Sequence, residues 1–100
     1  MYQIIVSEKA KKMIGEIVSF IANVDKEAAI KTKDLIINEI KSLSAFPERF
    51  PFFYFDYIPK NKYHKMFIEK WYLVLYQIKD KDILVDYILD CRKDYRFLVE

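Results

Sequence analysis

The sequence is poor in the residues that several kinds of functional site require. It contains one glycine, Gly15, which excludes a phosphate-binding loop built from several glycines. It contains one cysteine, Cys91, which excludes an intrachain disulfide, and no cysteine and histidine spacing matches a metal site. We therefore expect no metal and no other cofactor, and a reducing cytoplasm as the location.

Long apolar runs are also missing. No stretch approaches the ~20 apolar residues that a membrane-spanning helix needs, and Glu8 and Lys9 precede any possible signal-peptide core. We therefore expect a soluble, unexported protein that does not bind a membrane. A length of 100 residues is enough for one domain with a real core and too short for two. A composition of 53% hydrophobic and 17% aromatic residues predicts a globular chain. A single domain spanning residues 1–100 is predicted.

Three β-prone segments lie in the second half of the chain. Residues 71–78 are apolar or aromatic at nearly every position, as expected of a strand that is covered on both faces. Residues 63–68 precede them and residues 83–89 follow them, with links of only two and four residues. Links this short demand antiparallel neighbours. The prediction is an antiparallel meander with residues 71–78 in the centre.

The alternation along the last strand predicts which side chains face the core. If the strand continues to Arg92, the side chain of Arg92 lies on the same face as Asp86 and Asp90, which is the open face. Lys65 would point to the same open face, because Met66 and Ile68 are the better core residues of their strand. The predicted core face consists of Ile83, Val85, Tyr87 and Leu89, and the predicted open face of Leu84, Asp86, Ile88 and Asp90.

Two helices are predicted before the meander. Apolar residues recur at helical spacing from Glu8 to about Ala22 and again from about residue 26 to Ser44. Ser7 and Asp25 are suitable N-caps for them. Because the break between the helices is short, they should form an antiparallel hairpin. With the β-prone residues 2–6 in front, the predicted fold is α+β in the order β-α-α-β-β-β, with the hairpin on one face of an antiparallel-rich sheet.

A long segment without clear periodicity, residues 46–61, separates the second helix from the meander. It contains all three prolines and seven aromatic residues. A loop of this length in a small domain is usually functional or held by its own side chains. We expect most of the aromatic side chains to cover the core, and some of them to contribute to a partner site.

Positive charge is concentrated at the first and last strands of the meander. Such a concentration can hold a polyanion, and ordinary solvated lysines are the alternative interpretation. The cations are Lys60, Lys62, Lys65 and Lys70 around the first strand, and Arg92, Lys93 and Arg96 after the last. Of these, we predict RNA binding by Lys60, Lys62, Lys93 and Arg96.

The candidate catalytic residues are Lys65 and Arg92, with His64 and Tyr95 close by in the sequence pattern. This set suits one metal-free reaction, the cleavage of RNA by its own 2′-hydroxyl, which needs cations at the phosphorane and groups that move protons. Two alternatives stay open. Lys65 and Arg92 could form ion pairs with aspartates of the last strand. His64 could be structural, because it and Lys65 point to opposite faces of a regular strand.

Four motifs lie in the second half of the chain, between residues 46 and 94. They are Phe46-Pro47, Tyr63-His64-Lys65-Met66, Tyr72-Leu73-Val74-Leu75-Tyr76 and the ending Asp90-Cys91-Arg92-Lys93-Asp94. In this order, after a strand and a helical hairpin, they resemble the RelE/ParE superfamily of bacterial type II toxins. The resemblance implies a compact toxin that is neutralised by a cognate antitoxin.

The resemblance implies one of two activities. RelE-like members cleave mRNA in the ribosomal A site, whereas ParE-like members inhibit DNA gyrase; an inactive relative that acts only in the antitoxin complex is a third possibility. We favour the ribosome-dependent mRNA endonuclease, with Lys65 and Arg92 stabilising phosphate charge and His64 or Tyr95 transferring protons. Lys65 stands where many members carry arginine, and a lysine lacks the planar fork that grips phosphate.

Overall fold

The computed structural model describes residues 2–92, which form two helices packed on a five-stranded mixed sheet. The elements are β1 (Gln3–Val6), α1 (Glu8–Ala22), α2 (Lys26–Lys41), β2 (Phe52–Phe53), β3 (Tyr63–Ile68), β4 (Tyr72–Lys79) and β5 (Asp82–Asp90), with single 3-10 turns at Ser42–Ser44 and Pro47–Arg49. The sheet order is β1-β5-β4-β3-β2, in which β1 is parallel to β5 and all other neighbours are antiparallel. The predicted α+β fold is confirmed, with β2 as an additional short strand.

Both helices begin at the predicted caps. The Ser7 side chain accepts a hydrogen bond from the Ala10 amide at 3.0 Å, and the Asp25 side chain accepts one from the Ala28 amide at 3.1 Å. Each bond satisfies one of the backbone donors that a helix start leaves unpaired. Neither helix, within the part of the chain that the structure describes, is long and apolar enough to cross a membrane.

The main core lies between the helical hairpin and one face of the sheet, here called the helix face. Burying a single large side chain of this kind stabilises a fold by about 1.5–3 kcal/mol. The buried members are Ala10, Ile36, Ile40 and Leu43 from the helical part, and Met66, Ile68, Tyr72, Val74, Tyr76, Ile83, Val85 and Ile88 from the sheet.

The opposite face of the sheet, here called the loop face, is also covered. Leu73 and Leu75 of β4 are fully buried there, and Phe55 and Ile58 of the long loop pack against their cluster. The sheet is therefore apolar on both sides, as the continuous apolar sequence of β4 indicated. The loop covers the core as expected, and it leaves Tyr54 and Tyr57 exposed to solvent.

The two hairpin turns of the meander are built without glycine. Glu69 has a φ of 59° and Asp80 a φ of 57°, so both lie in the left-handed region. This conformation costs about 1–2 kcal/mol for a residue that has a Cβ. The only glycine of the chain, Gly15, is instead placed inside α1.

A β-bulge in β5 reverses the alternation of its side chains. Leu75 pairs with Tyr87, but the next residue of β4, Tyr76, pairs with Val85, so Asp86 is an extra residue. Beyond the bulge, Ile88 joins the helix-face core and Leu89 joins the loop-face cluster. The prediction that Tyr87 and Leu89 share a face with Ile83 and Val85 is therefore wrong.

Candidate functional site

Arg92, at the end of β5, is held by three neighbouring side chains. Its backbone amide and Nε donate hydrogen bonds to Asp90 Oδ1 at 3.0 and 3.2 Å, and Nη2 donates to Asp90 Oδ2 and to the Tyr72 hydroxyl, both at 3.3 Å. The guanidinium lies 4.8 Å from the centre of the Trp71 ring and 5.8 Å from that of Tyr72. Asp90 is buried, so its hydrogen bond raises the pKa of Arg92 and fixes the position of the cation.

Two cavities meet at Arg92. The larger, about 590 Å³, lies between α1 and the end of β5, and the second, about 400 Å³, lies between the helical hairpin and the β3–β4 turn. A cation at the edge of the larger, mainly apolar cavity suits a carboxylate that is flanked by apolar side chains. The larger cavity is lined by Met13, Glu16, Ile17, Phe20, Ile21, Ile88, Asp90 and Arg92, and the second by Ile21, Thr32, Leu35, Glu69, Trp71, Tyr72 and Arg92.

Lys65 does not share a face with Arg92. Lys65 pairs with Leu75, a residue of the loop-face cluster, whereas Arg92 bonds to Tyr72 of the helix-face core. The prediction that both cations leave on one open face is therefore wrong. The cause is the bulge at Asp86, which turns the end of β5 over relative to β3.

His64 is buried and has a structural environment. Its Nδ1 lies 2.7 Å from the Phe50 carbonyl oxygen, so this nitrogen carries the proton and donates the hydrogen bond. The imidazole lies between the rings of Phe52 and Tyr76, at centroid distances of 4.2 and 5.2 Å. These contacts connect β3 to the start of the long loop, and they favour the structural interpretation of His64.

The ion-pair interpretation holds for one of the two cations. Arg92 pairs with Asp90, with Nε 3.2 Å from Oδ1. Asp86 instead accepts hydrogen bonds from the Tyr63 hydroxyl at 2.8 Å and from Gln77 Nε2 at 2.7 Å. Burial together with the hydrogen bond to this carboxylate raises the pKa of Tyr63, so its hydroxyl stays protonated.

The predicted RNA-binding residues fall into two groups. Lys60 and Lys62 are exposed in the loop before β3, and Lys62 Nζ lies 5.4 Å from the centre of the Tyr63 ring. Lys93 and Arg96, together with the catalytic candidate Tyr95, lie outside the described residues. No group of three or more His, Cys, Asp or Glu residues that could hold a metal ion occurs within residues 2–92.

Trp71 and Tyr72 belong to the Arg92 site, although the sequence pattern did not indicate them. Both lie at the start of β4, where an apolar and aromatic segment predicted only a buried strand. The Cys91 amide donates a 2.7 Å hydrogen bond to the Trp71 carbonyl, which aligns the end of β5 with the start of β4. The antiparallel register of the predicted meander is the signal that could have brought Arg92 to these rings.

Comparison with known proteins identifies the family. A family model described as "ParE toxin of type II toxin-antitoxin system, parDE" matches residues 4–95. A comparison with curated proteins finds no match. Among solved structures, "Chromosomal ParDE TA system from P. aeruginosa" is similar in fold, with a TM-score of 0.75 and 18% identity over 90% of this chain and 96% of that chain. Since the family model covers most of the sequence, this chain belongs to the ParE toxin family of type II toxin-antitoxin systems.

Proposed function

We propose that this toxin acts by binding its target, DNA gyrase, and not by cleaving mRNA. The observation that carries the proposal is the separation of Lys65, His64 and Arg92. Gyrase inhibition is the activity that resemblance to the ParE-like branch implies, and the family match supports that branch. A ribosome-dependent mRNA endonuclease remains the competing hypothesis.

Metal-free RNA cleavage needs its cations and proton-transfer groups around a single phosphate, within hydrogen-bond reach. Lys65 lies on the loop face, and Arg92 lies on the helix face with its guanidinium engaged by Asp90. His64 is buried between two rings, and its Nδ1 proton is used by the Phe50 carbonyl. This separation supports a toxin that inhibits by binding.

Two assays on the purified toxin separate the hypotheses. In a gyrase supercoiling assay, we expect inhibition that increases with toxin concentration. In primer extension on mRNA under translation, we expect the pattern of the toxin-free control. Cuts within codons together with unimpaired supercoiling would refute the proposal and restore the nuclease hypothesis.

A matched pair of variants extends this test to the residues. If Lys65 stabilised a transition-state charge, Lys65→Ala would lower cleavage on the order of 10²-fold. Under our proposal, primer extension gives the pattern of the toxin-free control for both Lys65→Ala and Lys33→Ala. Lys33 is an exposed lysine of α2 and serves as the control position. Loss of mRNA cleavage in Lys65→Ala alone would contradict the binding mechanism.

The partner that we propose is a cognate antitoxin with a segment that is both acidic and apolar. A carboxylate of this segment would pair with Arg92, and its apolar side chains would enter the 590 Å³ cavity beside Met13 and Ile17. Co-expression with the adjacent gene product should give a stable complex. Arg92→Ala should weaken the affinity by about tenfold, since one half-exposed charge pair is lost, while Lys33→Ala should not. Equal affinities of Arg92→Ala and Lys33→Ala for the antitoxin would show that the antitoxin does not bind at Arg92.

A further inference from the structure

The loop between β2 and β3, residues 54–62, is folded on itself. The Tyr54 hydroxyl donates a hydrogen bond to Asn61 Oδ1 at 3.2 Å, which ties the two ends of the loop together. The Ile58 amide donates to the Phe55 carbonyl at 3.0 Å, which closes a turn at its centre. Phe55 and Ile58 pack inward against the loop-face cluster. The loop is thus a compact unit with an anchored inner side.

The outer side of this loop presents aromatic rings and lysines to solvent. Tyr57 is 92% exposed and Tyr54 is 61% exposed. Lys60 and Lys62 are exposed beside them. The surface continues along β3 with Lys65 and with Phe67, which is 50% exposed. Tyr54 also holds the loop closed through its hydroxyl, whereas a ring as exposed as that of Tyr57 contributes little to the core, so the packing of the fold does not explain it.

Negative charge is sparse on this part of the surface, where the loop carries one acidic residue, the exposed Asp56. Residues 57–68 contain three lysines and no aspartate or glutamate, and they form the longest segment of the sequence without an acidic residue. Within residues 2–92, Lys60, Lys62 and Lys65 make no salt bridge.

We propose that this loop surface binds single-stranded nucleic acid. The lysines would contact phosphates, and the exposed rings, Tyr57 above all, would stack on unpaired bases. An acidic peptide would use the lysines but would leave the stacking faces unused, so the combination favours a polyanion that carries bases. This activity goes beyond gyrase inhibition and does not depend on it, because it is measured on the toxin and an oligonucleotide alone.

Fluorescence anisotropy with fluorescein-labelled dT20 and U20 tests the proposal on the full chain. We expect binding that weakens as KCl is raised from about 50 to about 200 mM. The double variant Lys60→Gln/Lys62→Gln should bind about tenfold more weakly. Its slope of log affinity against log salt should be smaller by about 1.4, because two phosphate contacts are lost. Tyr57→Ser should also lose about tenfold in affinity with an unchanged salt slope, whereas Tyr57→Phe should keep the affinity.

The control is Lys31→Gln/Lys33→Gln, which makes the same change in net charge on the exposed side of α2. This variant should bind like the parent. Circular dichroism establishes that every variant is folded. Three results would overturn the proposal: no binding by the parent, equal weakening in the two double variants, or tighter binding of a 20-base-pair duplex than of dT20. The first result would mean that the surface does not bind nucleic acid, and the second that binding is general charge attraction. The third would mean that the surface contacts duplex DNA.

Discussion

Replacing Tyr76 with phenylalanine tests the connection between the sheet and the loop that follows the helices. Tyr76 is fully buried in β4, and its hydroxyl donates a 2.6 Å hydrogen bond to the carbonyl of Pro47, which is also buried. Phenylalanine retains the ring and its stacking 5.2 Å from His64. The substitution therefore removes one hydroxyl group and one hydrogen bond, with little change in packing.

The expected cost follows from the unpaired carbonyl. A buried polar group that loses its only partner costs about 1–3 kcal/mol. For a domain of this size, each kcal/mol corresponds to roughly 4–8 °C in Tm. We therefore expect Tyr76→Phe to lower the free energy of unfolding by about 2 kcal/mol and the Tm by roughly 10 °C.

Thermal and urea unfolding, followed by circular dichroism, provide the measurement. The matched control is Tyr57→Phe, since Tyr57 is 92% exposed and its hydroxyl has no role in the core. That change should stay within about 0.5 kcal/mol of the parent. If Tyr76→Phe is as stable as Tyr57→Phe, the hydrogen bond to Pro47 contributes nothing to the stability of the fold, which would refute the expected cost.

Alkaline pH provides a second measurement on the same residue. Burial raises the pKa of Tyr76 to about 12 in the folded protein, against an ordinary value near 10. The unfolded chain therefore releases the Tyr76 hydroxyl proton at lower pH than the folded protein does. The stability that this protonated hydroxyl contributes is complete below pH ~10 and is lost as the pH rises toward ~12. At about 1.4 kcal/mol per pH unit, the loss amounts to about 2–3 kcal/mol. Tyr76→Phe should lose less stability over this range than the parent, and an identical pH profile would contradict the assignment.

Two further predictions concern stability. Asp86→Ala should destabilise the fold by about 1–3 kcal/mol in urea unfolding, because Tyr63 and Gln77 lose their shared acceptor; an unchanged midpoint would show that the bulge does not need this carboxylate. Ser7→Ala should cost about 1 kcal/mol through loss of the α1 cap, whereas Ser19→Ala, at an exposed position within the same helix, should cost nothing. Equal midpoints for these two serine variants would argue against the cap.

Local patterns in the sequence determined the elements and their order. Ser7 and Asp25 mark the helix starts because their side chains can accept backbone hydrogen bonds wherever a helix begins. The meander followed from short links, which allow only antiparallel neighbours. The apolar character of β4 indicated that both of its faces are covered, and two separate clusters confirm it. Each of these features depends on residues that are close together in the sequence.

Tertiary structure alone decided the site. The bulge at Asp86 depends on how β5 meets β4 and on hydrogen bonds from Tyr63 and Gln77, which are distant in the sequence. One extra residue is enough to exchange the two faces of a strand, because side chains alternate with a period of two. This exchange moved Arg92 to the helix face beside Trp71 and left Lys65 on the loop face. A pattern of alternating residues cannot contain that information, since it lies in the pairing between strands.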